Sequence, residues 1–122
     1  MLGDTLTVTL GGSGGTARVC SKINQDSYSA EYLHRNTTDE VRVKVRHSIE
    51  SGSTTKPKMD RHNVEFTQTV FASGDTPEKI RQAYLVLRNS ASDDSALVSD
   101  LGEALSYWLT QANFLKVIGW ES

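Results

Sequence analysis

The sequence predicts an α+β fold, in which an antiparallel β-sheet meander with an N-terminal hairpin is followed by two C-terminal α-helices. Up to residue 72, polar and apolar residues alternate with the two-residue period of half-buried strands. Short polar turns join these segments, which favours antiparallel neighbours. After residue 75 the apolar residues recur at helical spacing. We interpret the 122 residues as a single domain with a hairpin over 1–24, a sheet over 27–72 and a helical dimerisation region over 75–122.

The N-terminal hairpin is predicted from two alternating segments, residues 5–10 and 16–23, which the glycine-rich segment 11–15 joins. That segment lacks the Lys-Ser/Thr ending of a P-loop and connects strand to strand, so it does not indicate a phosphate-binding loop. Further strands are predicted over residues 28–35, 41–49 and 60–72. The segment 51–58 is predicted to be a loop because it is polar and contains Gly52 and Pro57.

The strands over 41–49 and 60–72 indicate a sheet with one apolar and one cationic face. Val41, Val43 and Val45 point to one side, whereas the opposite side carries a polar set: Arg42, Lys44, Arg46, Arg61 and Asn63. From residue 35 to residue 62 there are seven Lys or Arg against four acidic residues, although the whole chain has a net charge of −2. Such a surface suits a phosphate-rich partner, and an ordinary solvated strand face is the alternative interpretation.

Two helices are predicted after the sheet. Asp75 or Thr76 can cap the first helix, and Pro77 suits its first turn. Its apolar stripe is Ile80, Ala83, Tyr84 and Leu87. The apolar stripe of the second helix is Leu97, Leu101, Ala104, Leu105 and Trp108. The apolar tail over 114–120 is expected to dock on the rest of the protein.

The composition favours a chain that completes its core with a partner subunit. Hydrophobic residues make up only 37% of the sequence, and two successive amphipathic helices suit packing against a second copy. We therefore expect a homodimer. The sequence has no apolar run long enough for a membrane span and no visible secretion signal. Its single cysteine, Cys20, excludes an intrachain disulfide and is expected to be a small buried side chain.

Enzymatic and metal-binding functions have little support in the sequence. Three histidines are present, and His47 and His62 fall on the apolar side of their strands, where they could approach each other. A metal site that combines them with Cys20 or a carboxylate matches no zinc signature, so polar packing beneath the helices is favoured and the metal assignment stays unknown. No catalytic motif is found, and no cofactor is expected. Asp93 and Asp94 suit either structural calcium between subunits or helix capping.

The chain resembles the coat proteins of small single-stranded RNA bacteriophages of the levivirus type. The segment 65–73 is similar to the last strand and the start of the first helix of that family, and the segments 28–33 and 41–48 are similar to two earlier strands. The Gly-Gly-Ser-Gly-Gly turn and the segments 61–66, 99–105 and 118–121 are similar to the Caulobacter RNA phage branch.

The resemblance implies an intertwined homodimer that assembles in the bacterial host cytoplasm into an icosahedral shell enclosing single-stranded viral RNA. It places the RNA on the inner sheet face, at Arg42, Lys44, Arg46, Arg61 and Asn63. In better-known members the same face binds an RNA hairpin and represses translation of the replicase. Here Arg42 and Lys44 replace small hydroxyl residues, which favours contacts with the RNA backbone over a base-specific pocket.

Two further sets of residues are expected to make contacts between subunits. The loop between dimers is expected to comprise Thr54, Thr55, Lys56, Pro57 and Lys58. The dimer interface is expected to include Tyr84, Leu87, Leu101, Leu105 and Trp108. The alternative function is a small dimeric nucleic-acid-binding regulator that does not form a shell.

Overall fold

The computed structural model describes residues 2–122 and, within them, contains six β-strands and two α-helices. The strands are β1 (Thr5–Leu10), β2 (Thr16–Gln25), β3 (Ser29–Arg35), β4 (Asp39–Glu50), β5 (Met59–Val70) and β6 (Lys79–Ser90). The helices are α1 (Ser95–Trp108) and α2 (Gln111–Ile118). Over this range, no helix has both the length and the apolar character that crossing a membrane requires.

The strands form a single sheet in the order of the chain, and every neighbouring pair is antiparallel. The predicted meander and N-terminal hairpin are therefore confirmed, and two C-terminal helices follow the sheet as the fold class requires, although only one of them is a segment predicted to be helical. The hairpin turn depends on its glycines, since Gly11 and Gly14 have φ of +86° and +79°, a region that other residues rarely adopt. At Gly15 a side chain is excluded because a Cβ atom would lie 1.9 Å from the Leu10 carbonyl oxygen.

The first predicted helix is wrong, because residues 79–90 form strand β6. Ser73 and Thr76 exchange two backbone hydrogen bonds of 3.0 and 2.9 Å, and Gly74 between them has φ +56°. The polar residues interpreted as a helix cap therefore close a turn between strands. The apolar run from 83 to 87 fits a strand as well as a helix, and pairing with β5 from Val70↔Lys79 to Met59↔Ser90 decides the outcome. Strand β5 thus leads into a further strand and not into a helix.

The buried core lies on one side of the sheet, which we call the apolar face. It consists of Val8, Cys20, Tyr32, Val41, Val43 and Val45. Full burial of each valine contributes about 1.5–3 kcal/mol. The sheet is curled, since Val8 and Leu10 of β1 line a common cavity with Phe66 of β5 and Ala83 of β6. Cys20 is a buried free thiol, as predicted, and burial raises its pKa.

The helices begin at well-formed caps but bury no residue. Asp94 caps α1 by accepting the Ala96 N–H at 2.9 Å, and Thr110 caps α2 by accepting the Asn113 N–H at 3.3 Å. Neither helix contains a buried side chain. The second predicted helix is confirmed as α1, whereas the tail does not dock within the single chain, where Trp120 is 94% exposed. Short helices are normally stabilised by packing an apolar face against the rest of the protein. A single copy does not provide that packing, so a large part of the expected core is missing from it.

Candidate nucleic-acid interface

The five predicted RNA-binding residues lie on one face of the sheet, opposite the core, which we call the polar face. The β4–β5 register pairs Lys44 with Glu65, Arg46 with Asn63 and Ser48 with Arg61, and side chains paired in this way point to the same side. Arg42 belongs to the same set because it lies two residues before Lys44. The strand period therefore predicted the grouping of these side chains correctly.

Carboxylates on the same face neutralise much of the predicted positive charge. Arg42 forms ion pairs with Glu31 and with Glu40, the latter at 2.7 Å. Arg46 contacts Glu65 at 3.2 Å. At the edges of the face, Arg35 pairs with Glu40 at 3.0 Å and Arg88 pairs with Glu50. The polar face is thus a mixed surface of arginine–glutamate pairs, not the mainly cationic surface that the sequence indicated.

These pairs change the proton affinities of their members. The hydrogen bond from Arg42 is the main cause that lowers the pKa of Glu40, with a smaller contribution from Arg35 and with burial acting in the opposite direction. The hydrogen bond to Glu31 is the main cause that raises the pKa of Arg42, and the bond to Glu40 adds to it. Both groups therefore stay ionised at neutral pH, and their attraction persists there.

Lys44 and Arg61 differ from the other cations of the polar face. Within residues 2–122, neither side chain has an ion-pair partner or a hydrogen bond to another side chain. Both are only half-buried, so their charges are accessible to a ligand. Asn63 lies between them on β5, and its Oδ1 atom is buried without a hydrogen-bond partner. Two free cations and one unsatisfied amide therefore form the part of the face best able to bind an additional polar group.

Tyr84 is a residue of the polar face that the sequence analysis assigned elsewhere. It pairs with Glu65 across the β5–β6 ladder, and the residue is 69% exposed. Once residues 79–90 are known to form a strand, Tyr84 and Leu87 must point to opposite faces, so they cannot share the stripe predicted for them. An exposed aromatic ring on this face is a platform on which a nucleobase can stack. A prediction of residues 79–90 as a strand would have placed Tyr84 on the polar face.

The other residues predicted for the dimer interface lie around an apolar surface that a single chain leaves exposed to solvent. A cavity of about 600 Å³ lies between β5, β6 and the helices. Its lining includes Val64, Phe66, Leu85, Leu105 and Phe114, and Tyr84 also borders it. Leu87 approaches α1 at Gly102. Leu101 and Trp108 lie on α1 and are 68% and 53% exposed. The outer edge of β6 has no neighbouring strand among residues 2–122. An open strand edge and an apolar cavity thus occur side by side.

The predicted loop between dimers is exposed throughout residues 54–58. A compact turn forms its first part, in which Ser53 donates its N–H to the Lys56 carbonyl oxygen at 2.8 Å. The Ser53 hydroxyl oxygen also accepts the Lys56 N–H at 3.1 Å. The loop therefore presents its side chains outward from the end of the β4–β5 hairpin, and its contact role stays a prediction.

The structure brings His47 and His62 together but does not form a metal centre around them. Their Nδ1 atoms are 2.9 Å apart and their ring centroids 5.1 Å apart. Across residues 2–122, no three His, Cys, Asp or Glu side chains are arranged to hold a metal ion. Asp93 accepts the Asp94 N–H, and Asp94 caps α1. Calcium takes about six to eight oxygen ligands, so a calcium ion there would need most of them from a neighbouring subunit.

Comparisons with known proteins agree with this architecture. A family model described as "Phage phiCb5, coat protein" matches residues 3–90, which span all six strands. Among solved structures, the bacteriophage EMS014 coat protein is similar at a TM-score of 0.65 and 12% sequence identity, with 87% of this chain and 72% of that chain covered. At this identity, the likeness supports the fold alone. No significant match is found among curated protein sequences.

Proposed function

The chain belongs to the phage phiCb5 coat protein family, and on that premise we propose that it forms a homodimer that assembles into an icosahedral shell around single-stranded RNA. Family membership implies a structural role in the virion and not an enzymatic one. The observation that carries the proposal is the joint exposure of the β6 edge, the apolar cavity and both unburied helices.

Dimerisation follows from the cost of leaving this surface in water. Leu101, Leu105 and Trp108 on α1 are between 42% and 68% exposed, and monomeric proteins rarely expose contiguous apolar surface of this extent. The open edge of β6 offers backbone N–H and C=O groups that a second strand can satisfy. A two-fold partner can cover the cavity and the edge together, and the interface is then self-complementary. We further propose that the loop at residues 54–58 joins neighbouring dimers.

RNA binding is proposed for the polar face because of Lys44, Arg61, Asn63 and Tyr84. The two free cations can contact phosphates, and Tyr84 can stack on a base. Arg42 and Arg46 already contact carboxylates, which compete with bidentate reading of a base by either guanidinium. Packaging through backbone contacts is therefore favoured over repression of the replicase by recognition of one hairpin.

Size-exclusion chromatography with negative-stain electron microscopy tests shell assembly. A coat protein should yield closed particles when it is expressed alone, whereas a nucleic-acid-binding regulator should elute near twice 13.4 kDa. A clean dimer at every salt concentration would exclude the shell and leave the regulator as the function.

Charge reversal tests the RNA-binding face. The double variant Lys44→Glu with Arg61→Glu should still form particles but lose most of its packaged RNA, because the free phosphate contacts become repulsive. The ratio of absorbance at 260 and 280 nm in purified particles measures the loss. The matched control is Lys79→Glu with Lys116→Glu, which makes the same change in net charge at two exposed positions away from the polar face. Equal RNA content in the double variant and the control would refute the assignment.

A further inference from the structure

We propose that Glu31 and Glu65 compete with RNA phosphates for the cations of the polar face and so set how tightly the coat protein holds RNA. The inference rests on the proposed RNA-binding function. It assigns these glutamates a regulatory role at that surface, where they occupy arginines in the absence of a ligand.

The geometric basis for this competition is the alternation of positive and negative side chains around Lys44. In the β3–β4–β5 register, Lys44 lies directly between Glu31 on one side and Glu65 on the other. Arg42 and Arg46 precede and follow Lys44 on the same face of β4. Three cations and two carboxylates thus alternate within one small area, and opposite charges at these cross-strand distances attract.

Each carboxylate contacts an arginine and not the lysine between them. Glu31 binds Arg42, and Glu65 binds Arg46 at 3.2 Å, whereas Lys44 has no ion-pair partner within residues 2–122. The Glu31 and Glu65 side chains are 23% and 19% exposed, so they are partly shielded from water. A phosphate can therefore approach Lys44 directly, whereas at either arginine it competes with a carboxylate that is already in contact.

A small cleft shows where this competition takes place. It has a volume of about 160 Å³ and is lined by Asn24, Ser29, Glu31, Lys44 and Arg46 among others. A phosphate that enters this cleft meets the Lys44 and Arg46 cations together with the Glu31 carboxylate. The carboxylate repels the phosphate and holds Arg42 away from it, so removal of its charge should strengthen binding.

The consequence is a surface that holds RNA weakly at many points. Arginines already paired with carboxylates add little net positive charge, so Lys44 and Arg61 account for most of the salt dependence. Each further phosphate neutralised on a single strand steepens the dependence of the logarithm of affinity on the logarithm of salt by about 0.7. Weak contacts of this type let RNA move along the inner surface while a shell closes around it.

The test compares the double variant Glu31→Gln with Glu65→Gln against the unmodified protein. Glutamine keeps the size of the side chain and removes its charge. The probe is a fluorescent short oligouridylate, titrated into RNA-free protein over a series of salt concentrations. The expected result is binding about fivefold to tenfold tighter than that of the unmodified protein. The salt dependence should steepen by about 0.7, because Arg46 becomes available to phosphates whereas Arg42 keeps its ion pair with Glu40.

The matched control is Glu78→Gln with Glu121→Gln, which makes the same change in net charge at two exposed positions outside the strands. Equal tightening in both double variants would overturn the proposal, because net charge alone would then explain it. Unchanged affinity in the Glu31 and Glu65 variant would also overturn it while leaving RNA binding intact.

Failure of the proposed function has a different signature. If the unmodified protein and its Lys44→Glu, Arg61→Glu variant both fail to bind the oligouridylate, the RNA-binding role itself is wrong, and the role of the glutamates falls with it. If the double glutamine variant does not fold, the single variants Glu31→Gln and Glu65→Gln replace it, and each should give part of the tightening. Circular dichroism establishes folding in every case.

Discussion

At the residue scale, Asp39 shows how the curled sheet holds a buried charge. Its side chain is nearly fully buried, and Gln68 donates a hydrogen bond of 3.0 Å to its Oδ2 atom. Arg81 donates in turn to Gln68 at 3.0 Å, while Arg18 lies 3.5 Å from the same carboxylate. The network crosses β6, β5, β4 and β2. The bond from Gln68 is the main cause that lowers the pKa of Asp39, burial opposes it, and Arg18 adds to the lowering.

This shift predicts a loss of stability in acid. Because the pKa of Asp39 is lower in the folded than in the unfolded protein, its contribution is complete above the unfolded value and disappears as the pH falls through the folded value. Asp39→Asn should therefore cost about 1–3 kcal/mol at neutral pH. It should also make stability less dependent on pH below about 4. Urea unfolding followed by circular dichroism measures both effects.

Asp100→Asn, at an exposed position of α1, is the control for that change. It should leave the urea midpoint and its pH dependence close to those of the unmodified protein. An Asp39 variant with the same acid sensitivity as the unmodified protein would show that Asp39 does not cause the loss.

At the scale of elements, two glycines differ in whether their surroundings leave room for a side chain. Gly102 lies inside α1, where a Cβ atom would meet only the Leu87 methyl groups, at 3.9 Å or more. Gly15 lies in the β1–β2 turn, where a Cβ atom would collide with the backbone of Leu10. Helix propensity therefore decides the effect of alanine at Gly102, and sterics decide it at Gly15.

Opposite effects of alanine are expected at these two glycines. Gly102→Ala should stabilise the protein by about 0.5–1 kcal/mol, since alanine is the better helix former and the site has room for it. Gly15→Ala should lower stability, because the turn must open to admit the methyl group. Thermal unfolding monitored by circular dichroism compares the two. A lower melting temperature for Gly102→Ala would mean that a neighbouring subunit packs closely against α1.

At the scale of the whole molecule, most of the apolar surface of the helices is left for a partner. Each copy buries a core confined to β1–β4, whereas the cavity next to β5 and β6 stays open. The proposed dimer would bring the second copy against that cavity. The stability of the fold and the association of subunits would then be coupled, as they are in obligate dimers.

A charge placed in the cavity should separate the subunits. Leu105→Asp is expected to weaken dimerisation by about 100-fold or more, because it puts a carboxylate into the centre of an apolar contact. Sedimentation equilibrium measures the change. Val19→Asp is the matched control, since Val19 is similarly apolar and 53% exposed but lies on β2, away from the cavity. Retention of a tight dimer in the Leu105 variant would contradict the proposed interface.

The sequence by itself determined β1 to β5, helix α1 and the grouping of Arg42, Lys44 and Arg46, because local periodicity fixes which side chains share a face. It did not determine β6. The apolar run at 83–87 satisfies both periods, and only hydrogen bonding along the whole of β5 selects the strand. Nor could it locate the partners of Arg42. Glu31 reaches Arg42 through the β3–β4 register, which depends on how strands align in space and not on the spacing of residues along the chain.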